Sequence, residues 1–517
     1  MPVSRGDSRG NHPEVEVSMG IFEQMLYGFQ VSLDPANLAF CFIGVLIGTL
    51  VGVLPGLGPA AAIALLLPAT FRLPPVPAII MLAGIYYGAM YGGSTTSILV
   101  NIPGEAASVV TCLEGYQMAL KGKAGPALGM AAIGSFIAGT FSILGLMVAA
   151  PVLAQIALQF GPPEYFAVMC LGLTILVYLA RGSLIKALIM GLLGLFLSQV
   201  GMDIVTGKFR FTLGMMSLSD GIDLVPMVMG LFGISEVFLN LEKIVQRELV
   251  KTKIRDLFPS AEEWKKSLGA ILRGTAIGFF LGALPGGGAI VASFASYGVE
   301  KRVSKYPERF GTGVIEGVAG PESANNAATG GAFVPLLILG IPANVVMALI
   351  FGALLIHGIT PSPFLLSERP DLFWGVVCSM YIGNAMLLIL NLPLIWIWVQ
   401  VLRVPYKYLF PVILLFCLIG AYSLSNNIFD IFSMLFFGVL GYLFRKLDYE
   451  PAPLILAFVL GRLMEKAFRQ SLAISNGSFA IFFTRPIAAI LILSALFLLV
   501  TSFVTYYKKK GFSNSKA

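Results

Sequence analysis

The chain has 517 residues, of which 57% are hydrophobic and only 12% are charged, about half the charged fraction of an ordinary soluble domain. A water-soluble globular fold of this length would need far more polar surface, so the composition excludes one. The net charge of +7 raises nucleic acid as a partner. The basic residues fall between apolar runs, however, and the positive bias of cytoplasmic loops explains them; no nucleic-acid partner is expected.

Residues 1–35 read as a polar tail with an interfacial segment from Ile21, lacking the apolar core and cleavage site of a signal peptide. Uncharged runs follow at 35–71, 73–104, 323–367 (interrupted only by His357), 372–402, 408–429 and 486–507. Each exceeds the roughly 20 residues that a helix needs to cross the hydrocarbon layer of a lipid bilayer. A first membrane repeat is placed at 36–241, with apolar segments near 36–54, 57–70, 76–100, 126–158, 164–180, 184–201 and 222–241. A basic linker, 242–267, follows, and with Arg273 it is expected on the cytoplasmic side. A second repeat with additional helices spans 268–507, with segments near 268–299, 315–357, 372–400, 405–423, 428–444, 451–464 and 486–507; a basic tail covers 508–517. Several segments are half-spans. The expected fold class is therefore an all-α polytopic membrane protein of eleven or twelve membrane segments, including re-entrant or broken helices. The excursion from Arg273 to Lys301 is too short for two full passes and fits a re-entrant hairpin.

The chain repeats itself. Gly48-x-x-x-Gly52-x-Leu54-Pro55-Gly56-x-Gly58 recurs as Gly278-x-x-x-Gly282-x-Leu284-Pro285-Gly286-Gly287-Gly288. Gly92-Gly93 precedes Ile102-Pro103, and Gly330-Gly331 precedes Ile341-Pro342 with one extra residue. Paired apolar segments interrupted by Gly and Pro point to the binding site of a transporter built from inverted repeats. Pro removes a backbone donor and Gly accepts positive φ, so both Pro-Gly runs should break their helices. A helix restarting at such a break offers free N–H groups and its positive dipole end to a carboxylate. Pro55, Gly56, Gly58, Pro285, Gly286, Gly287 and Gly288 are accordingly expected to bind substrate; the alternative is a tight turn between packed helices.

Two polar runs accompany the breaks. Ser94, Thr95, Thr96, Ser97 and Asn101 supply four hydroxyls and an amide at membrane depth. Glu322, Asn325 and Asn326 open the matching run, which continues through Thr329 to Asn344. These residues suit neutral hydrogen bonding to a polyanion, and if the coupling ion is Na+, it is expected near 94–101 or 322–329; the competing reading is close helix packing by small residues. An ionisable group at membrane depth is a functional hypothesis by default. Glu322 is therefore the ion-coupling candidate, taking a proton or holding a cation beside an anionic solute. No firm metal site is expected, and no cofactor beyond a coupling Na+ or H+. His357 is read as a helix cap. No GxSxG, P-loop, metal-spaced His/Cys set or soluble catalytic domain occurs, which argues against an enzyme and leaves an ion gradient or a partner as the energy source.

At these residues the chain resembles the large membrane subunit of the tripartite tricarboxylate transporter family, the TctA type. The likeness is carried by VGVLPGLGPAAAIALLLPATF (51–71), YYGAMYGGSTTSILVNIPGEAASVVTCLEGYQMALKGKAGPALG (86–129), GALPGGGAIVASFASYGVEKRVSK (282–305) and GVIEGVAGPESANNAATGGAFVPLLILGIPANVVMALIFGALLIHGITP (313–361). The resemblance implies a multi-pass protein of the bacterial inner membrane. It would work with a small membrane subunit and a periplasmic solute-binding protein to import citrate or a related carboxylate by symport with an ion. A stand-alone secondary carrier and an accessory scaffold without its own pathway are the alternatives. The layout is also similar to carboxylate carriers that use two re-entrant hairpins and elevator-type motion.

Overall fold

A computed structural model describes residues 20–54, 58–179, 183–203, 205–242, 257–402 and 406–514. In the first part of the chain the helices are α1 (Ile21–Ser32), α2 (Pro35–Val53), α3 (Gly58–Thr70), α4 (Pro75–Val100), α5 (Val109–Leu120), α6 (Ala124–Ala157), α7 (Pro162–Leu179) and α8 (Leu184–Ser198). A small antiparallel ribbon, β1 (Gly201–Met202) with β2 (Phe209–Arg210), leads to α9 (Leu224–Val228), a π-helical turn and α10 (Ser235–Glu242). Then come α11 (Ala261–Ala283), α12 (Gly288–Val303), α13 (Glu316–Leu339), α14 (Val345–Ile356), α15 (Leu365–Glu368) and α16 (Pro370–Asn391). The chain closes with α17 (Ile395–Val401), α18 (Tyr406–Ser425), α19 (Ile428–Lys446), α20 (Ala452–Ile474), α21 (Ile481–Thr484) and α22 (Pro486–Asn514). The fold is an all-α polytopic membrane protein. Among the described residues, seven helices are long and apolar enough to cross a membrane, and five shorter apolar helices accompany them.

The outer helices carry exposed apolar side chains at helical spacing. Examples are Phe141, Leu144, Val148 and Val152 on α6, and Ile185, Ile189, Leu192 and Phe196 on α8. Such a stripe repeats at three and four residues, covers one helix face, and suits contact with lipid. The innermost helices are α4 and α13. From Val76 to Val100 and from Gly317 to Ile338, every residue is buried. Enclosed by protein, these two helices need no apolar outer face and can carry Ser, Thr, Asn and Glu.

Each central helix lies in the groove of a glycine-bearing partner. A Cβ at Gly44, Gly48 or Gly52 of α2 would overlap the carbonyl oxygens of Met81, Ile85 and Ala89 of α4. A Cβ at Gly274, Gly278 or Gly282 of α11 would overlap those of Gly320, Ala324 and Ala328 of α13. The two sets correspond at constant offsets, 274 − 44 = 230 in the first helix and 320 − 81 = 239 in the second. Gly92 against Thr49 matches Gly331 against Phe279 at the same offsets. Gly331 rather than Gly330 is thus the counterpart of Gly92, and the extra residue seen in the sequence comparison disappears.

Contacts between the halves are reciprocal. The central α13 packs on α6, as α4 packs on α16; α12 meets the turn before α5, as α3 meets α14; α13 touches α5, as α4 touches α14. Exchange of this kind is what a pseudo-two-fold relation requires. The remaining helices flank this core, with α7, α8, α20 and α22 in one group, and α9, α10, α18 and α19 in another.

Candidate functional site

The second Pro-Gly run breaks its helix as the sequence predicts. Helix α11 ends at Ala283, α12 begins at Gly288, and Gly286 and Gly288 have φ of 79° and 52°. Glu300 of α12 accepts a bidentate pair from Arg273 of α11, at 2.8 and 2.6 Å. The two arms therefore run as a hairpin tied at its open end. From Arg273 to the break is about 16 Å of helix, roughly half the thickness of a bilayer's hydrocarbon core. In the first repeat, Pro55 and Gly56 lie outside the described residues. Gly58, which opens α3, has φ 59° with open space beside it, as does its counterpart Gly288.

Each central helix ends in a second break. Asn101 (φ 57°) closes α4 and Gly340 (φ 67°) closes α13, both left-handed and 239 apart. Asn is one of the few residues that tolerate this conformation, and its side chain is exposed, so the fold gives Asn101 a backbone role. Beyond each break the chain restarts on an N-cap. Glu105 accepts from the Ala107 N–H at 2.5 Å, and Asn344 accepts from the Met347 N–H at 3.0 Å. The tip of the hairpin touches the second break, the Gly286 N–H donating to the Ala343 carbonyl at 2.8 Å.

The N-caps also bind across the repeats. Asn325 of α13 donates to Glu105 at 3.2 Å, and Asn344 donates to the Tyr86 hydroxyl of α4 at 3.0 Å. Tyr86 and Asn325 are again 239 apart. One hydrogen bond therefore occurs twice, with its partners exchanged.

Glu322 sits in the second turn of α13, fully buried. The Ser94 hydroxyl of α4 donates to Oε2 at 2.6 Å, and the Thr111 hydroxyl of α5 donates to Oε1. The carboxylate of one repeat is thus held by the other. Asn326 donates to Ser135 at 2.7 Å and to the Glu322 carbonyl at 3.1 Å, and the Thr329 hydroxyl turns back to the Asn326 carbonyl. Among the remaining hydroxyls, Thr96 ties α4 to the Val53 carbonyl at 2.7 Å, Ser97 lies beside the Cys112 thiol, and Thr95 lines a small cavity with Tyr91 and Ser94. A second cavity is lined by Tyr87, Tyr91, Asn326, Thr329 and Asn384. Each is about 10 Å³, room for one water.

Glu105, Thr111 and Tyr86 belong to this cluster although the sequence reading did not single them out. The signal for Glu105 was present: aligning Ile102-Pro103 with Ile341-Pro342 pairs it with Asn344. Glu114 was missed as well. Fully buried on α5, it accepts from Tyr297 and from the N–H groups of Gly311, Gly313 and Val314, pinning the loop that enters α13. His357 caps the end of α14 through its backbone N–H, as expected. Among the described residues, the buried charged side chains are all carboxylates, with no buried Lys or Arg.

Carboxylates and hydroxyls enclosed at the interface of two repeats, within a multi-pass membrane bundle, mark a protein that moves a solute rather than one that transforms it. Residues 38–456 match the family described as "Tripartite tricarboxylate transporter TctA family", and the chain belongs to it, a family of transporters whose TctA members are the large membrane subunits of tripartite systems. It is 52% identical over 492 residues, covering 95% of this chain and 98% of the relative, to a protein of Agrobacterium vitis described as "Uncharacterized 52.8 kDa protein in TAR-I ttuC' 3'region". A second Agrobacterium vitis protein, "Uncharacterized protein in TAR-II ttuC' 3'region", is 56% identical over 215 residues, which is 42% of this chain and 89% of that protein. No solved structure matches.

Proposed function

We propose that this subunit imports citrate or a related di- or tricarboxylate across the bacterial inner membrane, by symport with Na+ or H+. A periplasmic binding protein delivers the solute, and a small membrane subunit completes the complex. The observation that carries this reading is Glu322, an ionisable group of one repeat enclosed by Ser94 and Thr111 of the other. Such a group responds to a cation and to the relative position of the two repeats at once, which is what coupling needs. The hairpin tip, about half a hydrocarbon thickness from the Arg273–Glu300 pair, supports a solute site near the bilayer midplane. The reciprocal contacts support repeats of inverted orientation, with equivalent breaks facing a common pathway. The N–H groups of Ala107 and Met347 already have side-chain acceptors. A solute carboxylate would displace those acceptors or meet the α12 terminus at Gly288.

The test is uptake of labelled citrate by proteoliposomes holding the complete complex, under an imposed Na+ or pH gradient. Glu322→Gln keeps shape and removes charge; it should abolish gradient-driven uptake while exchange of internal for external solute partly survives. Uptake in that variant with an unchanged dependence on Na+ and pH would remove Glu322 from coupling.

A further inference from the structure

Glu105 and Glu322 come from different repeats and meet adjacent residues of α4: the Glu105 side chain packs on Gly93, and Ser94 donates to Glu322. They are 7% and 0% exposed. Every carboxylate oxygen of the pair faces a donor. Ala107 N–H and Asn325 Nδ2 serve Glu105, while Ser94 and Thr111 serve Glu322. For Glu105 both donors are N–H groups, which an ionised, acceptor-only carboxylate requires. Two enclosed anions without a cationic partner are costly, because burial removes their solvation and their mutual repulsion goes unscreened. No Lys or Arg among the described residues is buried to offset them. A further observation points to what does. The Asn325 Oδ1 is buried without a hydrogen-bond partner, on a side chain 1% exposed whose amide nitrogen already touches Glu105. The Asn325 side chain meets Glu105 and stands one helical turn from Glu322 on α13, so its unpaired amide oxygen adds to the carboxylates and hydroxyls a hard-oxygen donor, the kind that alkali and alkaline-earth cations take in preference to His/Cys metals.

We infer that Glu105, Glu322, Ser94, Thr111 and the Asn325 amide oxygen form a site for a small hard cation, Na+ being the probe, that straddles the two repeats. Its part in coupling rests on the transport reading above; the binding itself does not, because it needs no solute. Cation bound there neutralises charge drawn from both halves and so favours their closed apposition. With the cation absent, the two carboxylates repel and the seam is loosened. Glu105 acquires a role in this arrangement beyond capping the turn at Ala106.

The experiment measures melting of the purified complex in detergent, without carboxylate solute, as NaCl replaces equimolar choline chloride. Cation that binds only the folded state raises the melting temperature with concentration. The expected result is a saturable Na+-dependent rise, with apparent affinity weakened at least about tenfold in Glu105→Gln and in Glu322→Gln, since affinity follows the charge count of the ligands. Should either glutamine variant fail to fold, Glu105→Asp and Asn325→Ala are the substitutes, each expected to weaken Na+ without abolishing it. A rise no greater than choline gives, or one undiminished in all folded variants, overturns the proposal. Stabilisation that follows pH with no Na+ dependence also overturns it, leaving a proton site. Failure of citrate uptake with Na+ stabilisation intact would instead contradict the function reading and leave the cation site standing.

Discussion

Asp203 fastens the ribbon between α8 and α9 to helix α20. Arg469 donates to both of its carboxylate oxygens at 3.0 and 2.9 Å, and the N–H groups of Val205 and Thr206 reach Oδ1 at 2.8 and 3.0 Å. These bonds favour the charged form, the Arg469 contact first, and hold the carboxyl well below its ordinary range. A depressed value means that the stabilisation is complete above the unfolded-state value, about pH 4, and is lost as pH falls through the folded one. Asp203→Asn should therefore lower the melting temperature at neutral pH, and the gap from wild type should narrow steadily as the sample is acidified below about pH 4. A gap that stays constant with pH would assign the loss to packing instead.

The hairpins and their central partners make the clearest case at the next scale up. Because a Cβ at Gly48 or Gly278 would run into the Ile85 or Ala324 carbonyl, Gly48→Ala and Gly278→Ala should each cost about 1–3 kcal/mol through overpacking, with similar values at the two equivalent positions. Gly298 on α12 has nothing near its would-be Cβ. There Ala should stabilise by up to about 1 kcal/mol through helix propensity. Thermal or denaturant melting of the three variants checks the set. The break glycines are different: a Cβ at Gly286 would meet Leu176 of α7 and one at Gly287 the Leu281 carbonyl, so bulk there disturbs packing whether or not solute binds nearby. The second hairpin and the repeated Gly-x-x-x-Gly spacing were legible in the sequence, because Pro-Gly pairs and four-residue glycine spacing are local signals. The central position of α13 was not. Its Gly, Ser, Asn and Glu content reads as a polar run, and only the surrounding helices make it the most enclosed segment of the second half. Glu105 stayed hidden for a related reason, since its partner Asn325 lies 220 residues away.

At the largest scale, the core of the molecule is two copies of one arrangement joined through their central helices, each restarted helix capped onto the opposite repeat. The two locks are chemically unequal, Glu105 with Asn325 on one side and Asn344 with Tyr86 on the other. Only the first contains a carboxyl group. Under the coupling proposed above, that inequality would let an ion bias one lock over the other without changing the fold. If solute passes between the repeats, as proposed, α4 and α13 must separate, and the bond from Asn344 to Tyr86 spans the two repeats there. The decisive measurement is uptake by the reconstituted complex carrying Tyr86→Cys and Asn344→Cys in a background with its five native cysteines replaced. Oxidising the pair, or bridging it with a short dithiol reagent, should stop uptake, and reduction should restore it. Full uptake with the pair covalently joined would contradict a pathway that opens between the repeats.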